Sequence, residues 1–185
     1  TRRLKEMALY TKNYLRNLAN QFSQTYEFGR MVENTKGFSS FDIFLSHSYK
    51  DKEFIKGLFY ELTKAGFKVY VDWIIDPHFD RKNVTEKTVN AIRKRLKQSK
   101  SLVYATSANA SNSKWMQWEL GFLDGNKGNC AILPITDYET DSFEGQEFLS
   151  AYPQIQKDRL SGVSKSNFKV QKGRFTSEPM SQWIL

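Results

Sequence analysis

Between residues 41 and 135 short apolar runs alternate with amphipathic stripes, and this alternation is the tightest constraint on what the chain can become. The stretch "FDIFLSHS" at 41–48 is a continuous apolar run ending in small polar residues, the pattern of a strand buried on both faces. "DKEFIKGLFYELTKAG" follows, with Phe54, Ile55, Leu58, Phe59 and Leu62 on one helical stripe and Gly66 placed to end it. "FKVYVDW" predicts a second strand, and "TEKTVNAIRKRLKQS" a second helix with Val89, Ile92 and Leu96 turned inward. "SLVYATS" predicts a third strand, "SKWMQWELGFLDG" at 113–125 a third helix and "CAILPI" a fourth strand. This βαβαβαβ order implies an α/β fold, a parallel sheet with helices on both faces joined by right-handed crossovers. Ligands in such sheets bind at the carboxyl ends of the strands. Those ends are "SHS" at 46–48, "DW" at 72–73 and "TSANASNS" at 106–113.

The flanks divide the chain. Over residues 4–28, Leu4, Met7, Ala8, Leu15, Leu18 and Phe22 recur at spacings of three, four and seven without proline, which predicts one amphipathic helix that packs on the domain or pairs with another copy. "ENTKGFSS" at 33–40 reads as a polar connector. The expected organisation is an N-terminal helical extension over 1–35 and a domain over 40–185, with core motifs at 41–135 and a helical and loop extension at 136–185. Within that extension a short helix is expected around 144–151, and "EPMSQWIL" as a final helical turn that docks apolar residues.

With 39% hydrophobic and 15% aromatic residues, 185 residues suffice for a sizeable core. No stretch approaches the roughly 20 apolar residues of a membrane span, and the first ten residues lack the apolar run of a signal peptide. The lone Cys130 excludes an internal disulfide and fits a reducing cytosol, so a cytoplasmic location is expected. A net charge of +8 attracts phosphate-bearing partners. Its densest run, "RKRLKQSK" at 93–100, has the character of a solvated helix face and no zinc-finger or RNA-binding signature accompanies it, so nucleic acid is not the expected partner. His78 has no second ligand at metal spacing, and no metal is expected.

Trp115 and Glu119 stand four apart on the third helix and share a face, whereas Trp118 and Leu120 point elsewhere. An acid beside a large flat ring is either an exposed charge next to a packing anchor or a surface that recognises a flat cation bearing hydroxyls. Ser46, His47 and Ser48 either meet a ligand at the end of the first strand or form a polar turn capping the next helix. Asp72 is either a loop-fixing acceptor or a ligand contact, and Trp73 either core or pocket wall. Gly121 and Gly125 are read as serving packing and helix termination, since no glycine-rich phosphate fingerprint follows the first strand.

Phe41, Asp42, Ile43, Phe44, Leu45, Ser46 and His47, followed in order by "TVNAI", "SLVYATSANASNSKW" and "WEL", closely resemble the Toll/interleukin-1 receptor (TIR) domain, and most of all its bacterial, stand-alone NAD-cleaving members of the Thoeris-like defence type. The resemblance runs from Phe41 to about Ile135. It implies a three-layer, flavodoxin-like fold with Glu119 as the catalytic residue; Trp115 on the same helix face, and Ser46, His47, Ser48, Asp72 and Trp73 at the strand ends, are the residues expected to bind the substrate. It further implies NAD+ as substrate, and no cofactor is expected beside it; neither a metal nor a membrane is expected from the residues. Homo-oligomers would form through TIR surfaces and the N-terminal helix, and a separate effector would sense the product. The loop after the second strand commonly carries a Pro-Gly pair in the family and gates the pocket there; here "IIDPHFDRKN" at 74–83 has Pro77 followed by His78.

The chemistry is compatible with one carboxylate. The nicotinamide of NAD+ leaves as a neutral ring from a cationic one, so no general acid is needed, and one of the two acids of an ordinary glycosidase becomes dispensable. A Glu beside the ribose would stabilise the developing oxocarbenium ion. Hydrolysis, cyclisation and transfer to another acceptor all remain open at this level. The alternatives are a scaffold acting by self-association without turnover, and a nucleotide-base exchange enzyme, which the "SxW" setting of Glu119 disfavours.

Overall fold

The structure is a computed structural model that describes residues 7–140, 143, 147–158 and 163–185. Two short strands, β1 (Met7–Ala8) and β2 (Tyr10–Thr11), lead into α1 (Lys12–Phe22) and α2 (Tyr26–Lys36). The single helix expected over 4–28 is therefore two helices preceded by strands, while residues 4–6 lie outside the described residues. The break falls at Ser23–Thr25 because Thr25 turns extended and its hydroxyl accepts from Phe28 N at 3.2 Å, a side-chain cap that opens a new helix. The apolar spacing of threes and fours runs through the break and does not mark it.

The alternation then appears in the expected order: β3 (Phe41–Ser46), α3 (Lys52–Lys64), β4 (Val69–Tyr70), a single turn α4 (Asp72–Ile75), α5 (Glu86–Lys97), β5 (Ser99–Thr106), α6 (Lys114–Lys127) and β6 (Cys130–Thr136). Two details differ from the sequence expectation. The second strand has only two residues, with Asp72 and Trp73 on the helical turn behind it. Helix α6 also runs past Gly125 to Gly128, whose φ of 75° supplies the left-handed cap. A side chain at Gly121 or Gly125 would meet nothing within 4 Å, so neither serves close packing.

Beyond β6 the chain adds β7 (Gln154–Asp158), β8 (Phe168–Gln171), β9 (Ser177–Pro179) and a closing turn α7 (Met180–Trp183). The short helix expected around 144–151 is a 3-10 turn at Glu147–Ala151, and residues 144–146 lie outside the described residues.

The strands form a nine-stranded sheet in the order β4-β3-β5-β6-β7-β8-β9, with β1 added to β7 and β2 to β6. Pairing is parallel from β4 through β7 and antiparallel from β7 to β9. The parallel part has the 2-1-3-4-5 order of flavodoxin-like sheets, whose crevice opens where the connections change direction, between the carboxyl ends of β3 and β5. Right-handed crossovers put α3 on one face and α5 and α6 on the other. The core lies along the sheet, with Ile43, Leu58, Phe59, Val69, Tyr70, Leu102, Val103, Ala131, Ile132 and Leu133 at or near zero exposure. Strands this buried need their few polar residues at the ends, which is where the candidate site sits.

Candidate active site

Helix α6 starts at Ser113, whose hydroxyl accepts from Met116 N, and this cap sets the phase that turns Glu119 toward β3. Glu119 is 1% exposed. A carboxylate so buried is tolerable only when paired and hydrogen-bonded. Ser46, the last residue of β3, donates its hydroxyl to Glu119 Oε2 at 2.6 Å, and Arg81 Nη1 donates to Oε1 at 2.6 Å. Tyr104 of β5 is buried nearby, and burial, followed by the charge of Glu119, pushes its hydroxyl above the usual tyrosine range.

Arg81 comes from the 74–83 loop and reaches three groups at once. Besides Glu119, its Nε lies 2.5 Å from Asp72 Oδ2, an ion contact too poorly aligned to be a hydrogen bond. Its Cζ stands 5.4 Å from the centroid of the Trp115 ring, within cation–π range. Burial alone would loosen the guanidinium proton, but Glu119 and Asp72 outweigh it and hold the pKa above the ordinary arginine value. Trp115 Nε1 also contacts the Arg81 carbonyl at 3.4 Å. Trp118, expected to point elsewhere, stands edge-on to Trp115 with centroids 5.7 Å apart and planes at 87°.

The remaining sequence-selected residues form a supporting wall. Trp73 Nε1 donates to His47 Nε2 at 2.8 Å, so that nitrogen accepts and Nδ1 carries the proton toward Leu45 O at 3.0 Å. Both ring nitrogens are thus engaged, and His47 orients Trp73. Asp72 Oδ1 is 3.9 Å from His47 Nε2. Ser48 is buried at the head of a 3-10 turn, Tyr49–Asp51, and its side chain does not cap that turn. Behind it the buried Asp51 accepts from the Ser107 hydroxyl and from Asn109 Nδ2, tying the loop after β3 to the loop after β5.

The structure therefore brings Asp72, Trp115 and Glu119 together around one guanidinium, with Ser46 on the other oxygen of Glu119 and the bonded pair His47 and Trp73 beside Asp72, while Ser48 is buried at the head of the next turn. Arg81 was not among the residues selected from the sequence, although it lies in the 74–83 loop that departs from the family pattern. The available signal was that a carboxylate near a strand end in a buried sheet needs a cationic partner, and Arg81 is the arginine of the loop expected to cover it.

Among the described residues there is no His, Cys, Asp and Glu grouping that would hold a metal, and no helix is long and apolar enough to cross a membrane. A groove of about 830 Å³ opens at the amino ends of the strands, around Asp124, Cys130, Tyr152 and Trp183, away from the Glu119 cluster. At its wall the buried Cys130 keeps its proton: burial, then the charge of Asp124, pushes the thiol up to about 12.

The family model described as a TIR domain matches residues 43–159. Over 96% of this chain and 98% of its own length, a Bacillus cereus (strain MSX-D12) protein named "Probable 3' cyclic ADP-D-ribose synthase ThsB'" is 34% identical. A Cytobacillus dafuensis protein, TIR2, whose name proposes cyclic ADP-D-ribose synthase activity, is 32% identical over 60% of this chain; the match spans 30% of that longer relative. Among solved structures, the TIR domain of the Toll-related receptor TRR-2 from Hydra magnipapillata matches with a TM-score of 0.45 and 19% identity, over 62% of this chain and 84% of that one. Matched by the family model over more than half its length and aligned almost end to end with one relative, the chain belongs to the TIR domain family.

Proposed function

We propose that this TIR protein cleaves the nicotinamide–ribose bond of NAD+ with Glu119 as its catalytic carboxylate. The observation that carries this reading is the pairing of a 1% exposed carboxylate with an indole face at the sheet's switch point, already holding a flat cation between them. Nicotinamide in NAD+ is also a flat cation, attached to a sugar whose hydroxyls Glu119 would accept from. The C–N bond breaks with its electron pair going to the ring nitrogen, so the ring leaves neutral while positive charge passes to the ribose carbon beside Glu119. A preorganised anion there favours the transition state over the ground state. Trp115 loses its cation–π partner as the bond breaks, so it contributes to binding more than to rate.

The near full-length relative's name supports a cyclic product for this chain as well. In that outcome a ribose hydroxyl of the same molecule attacks the oxocarbenium carbon and gives up its proton to solvent, leaving a ring-closed ADP-ribose as a signal nucleotide. We place the reaction in the cytoplasm, in antiphage defence, with a separate effector reading the product and with homo-oligomerisation supporting activity.

The test is nicotinamide release from NAD+, followed by chromatography, for the full chain and for Glu119→Gln. The parent is expected to release nicotinamide and the variant to be slower by about 10²-fold or more. No release by the parent across a wide range of protein concentration would make the chain a non-catalytic interaction module.

A further inference from the structure

On the reading of Glu119 as the catalytic carboxylate, we propose that Arg81 is a built-in competitor of the substrate, a cationic plug occupying the position of the nicotinamide riboside that NAD+ must displace. The guanidinium reproduces what that end of NAD+ would present: a flat, delocalised positive charge over the Trp115 ring and N–H donors where ribose hydroxyls would reach the carboxylate. Ser46 holds the other oxygen, so Glu119 has both oxygens engaged while the plug is in place.

The loop is built to release it. Asp76 anchors one end, accepting from Tyr70 at 2.8 Å and from Arg95 through Nε and Nη2 at 2.8 Å each. Thr85 anchors the other as the side-chain cap of α5. Between them Asp80 accepts from Lys82 N, Asn83 N and Asn83 Nδ2, folding the tip on itself. Among the hydrogen bonds and ion pairs of residues 78–84, those reaching beyond the loop all pass through Arg81: to Glu119, to Asp72 and from Trp115. One side chain therefore latches an exposed tip, and its contact with Asp72 is close but misaligned.

Charge makes the exchange reversible. With Arg81 in place the two carboxylates and one guanidinium sum to one negative charge, and a pyridinium entering as Arg81 leaves keeps that sum. When the bond breaks the positive charge passes to the ribose carbon; once a hydroxyl has captured that carbon and lost its proton to solvent, the two carboxylates again lack a cation, which draws Arg81 back and helps to empty the site.

The full chain, Arg81→Gln, Arg81→Lys and Glu119→Gln are compared for steady-state NAD+ cleavage, with thermal unfolding to verify folding. A ligand's apparent affinity falls in proportion to the competent fraction, so if about one molecule in ten is open, Arg81→Gln lowers KM about tenfold without lowering kcat. Arg81→Lys, which keeps the charge but loses the planar fork, lowers KM less. A KM at or above the parent's in Arg81→Gln, with Glu119→Gln inactive, overturns the plug and makes Arg81 a substrate-holding group. If Arg81→Gln does not fold, Arg81→Lys decides on the same criterion. Activity retained in Glu119→Gln instead overturns the catalytic reading, whatever the Arg81 variants do.

Discussion

Ser46 engages the oxygen of Glu119 that Arg81 leaves free, and because this contact does not involve the loop its geometry suits a side chain that holds the carboxylate still. Its hydroxyl is 2.6 Å from Oε2, and Ser46 itself is 1% exposed at the end of a strand bonded on both sides. Ser46→Ala leaves a buried carboxylate oxygen without this donor, a loss of about 1–3 kcal/mol. A positioning role predicts that kcat for NAD+ cleavage falls about tenfold, since about 1.4 kcal/mol of barrier is one decade, while KM changes little. A change confined to KM would show that Ser46 acts on the substrate and not on Glu119. The Trp115 and Glu119 pair was readable because four residues on a helix is a fixed geometric interval. Arg81 meets Glu119 across 38 positions, and with 28 lysines and arginines in the chain only its place in the 74–83 loop distinguished it as the cation. The roles of His47 and Trp73 were open for a related reason. Their mutual hydrogen bond depends on where the chain turns after β4, and that turn became the helix α4 and not the strand end expected from "FKVYVDW".

Elements show the same division between periodic and non-periodic information. The four parallel strands from 41 to 135 and the helices between them follow from apolar periodicity, because a doubly covered sheet forces continuous apolar strands and one-sided helices. The strands after 136 were not anticipated: β8 buries only Phe168 and Val170 and leaves Lys169 and Gln171 half-covered, and four residues of alternation are too short a signal. That the N-terminal segment packs on the domain was one of its two expected roles; its seat on α3 was not legible, and Gly57 explains it. A Cβ at Gly57 would stand 2.0 Å from Leu15 O and 3.2 Å from Ala19 N, so the two backbones touch there and no side-chain rotation could make room. In an isolated helix Gly57→Ala would stabilise by about 0.5–1 kcal/mol. Overpacking against backbone is expected to reverse the sign and destabilise by about 1–3 kcal/mol, read as a lower denaturant midpoint with an unchanged slope. A raised midpoint would mean that α1 does not sit on α3 in solution.

At the scale of the whole molecule, the N-terminal segment is woven into the sheet that carries the site. Met7 and Ala8 pair with Asp158 and Lys157 on β7, and Tyr10 and Thr11 with Ile135 and Thr136 on β6. Tyr10 and Tyr14 both donate to Glu61 of α3, at 2.5 and 2.6 Å, and Lys157 pairs with the same carboxylate, which is 1% exposed. Burial, then the charge of Glu61, holds the Tyr10 proton well above the ordinary tyrosine range, so the hydroxyl stays a donor. Removing residues 1–35 would take away two strand pairings, both tyrosine donors and the helix that covers Gly57. Each hydrogen bond to a charged group is worth about 1.5–3 kcal/mol, against a total stability of about 5–15 kcal/mol. The truncated chain is therefore expected to lose its cooperative unfolding transition, followed by circular dichroism on heating, so its inactivity would report on folding before assembly. Whether catalysis depends on self-association has to be measured on the intact chain, where specific activity should rise with protein concentration if copies complete or open the site. A truncated chain that melts cooperatively near the temperature of the full one would show the segment to be separable, and only then would lost activity on truncation speak for assembly.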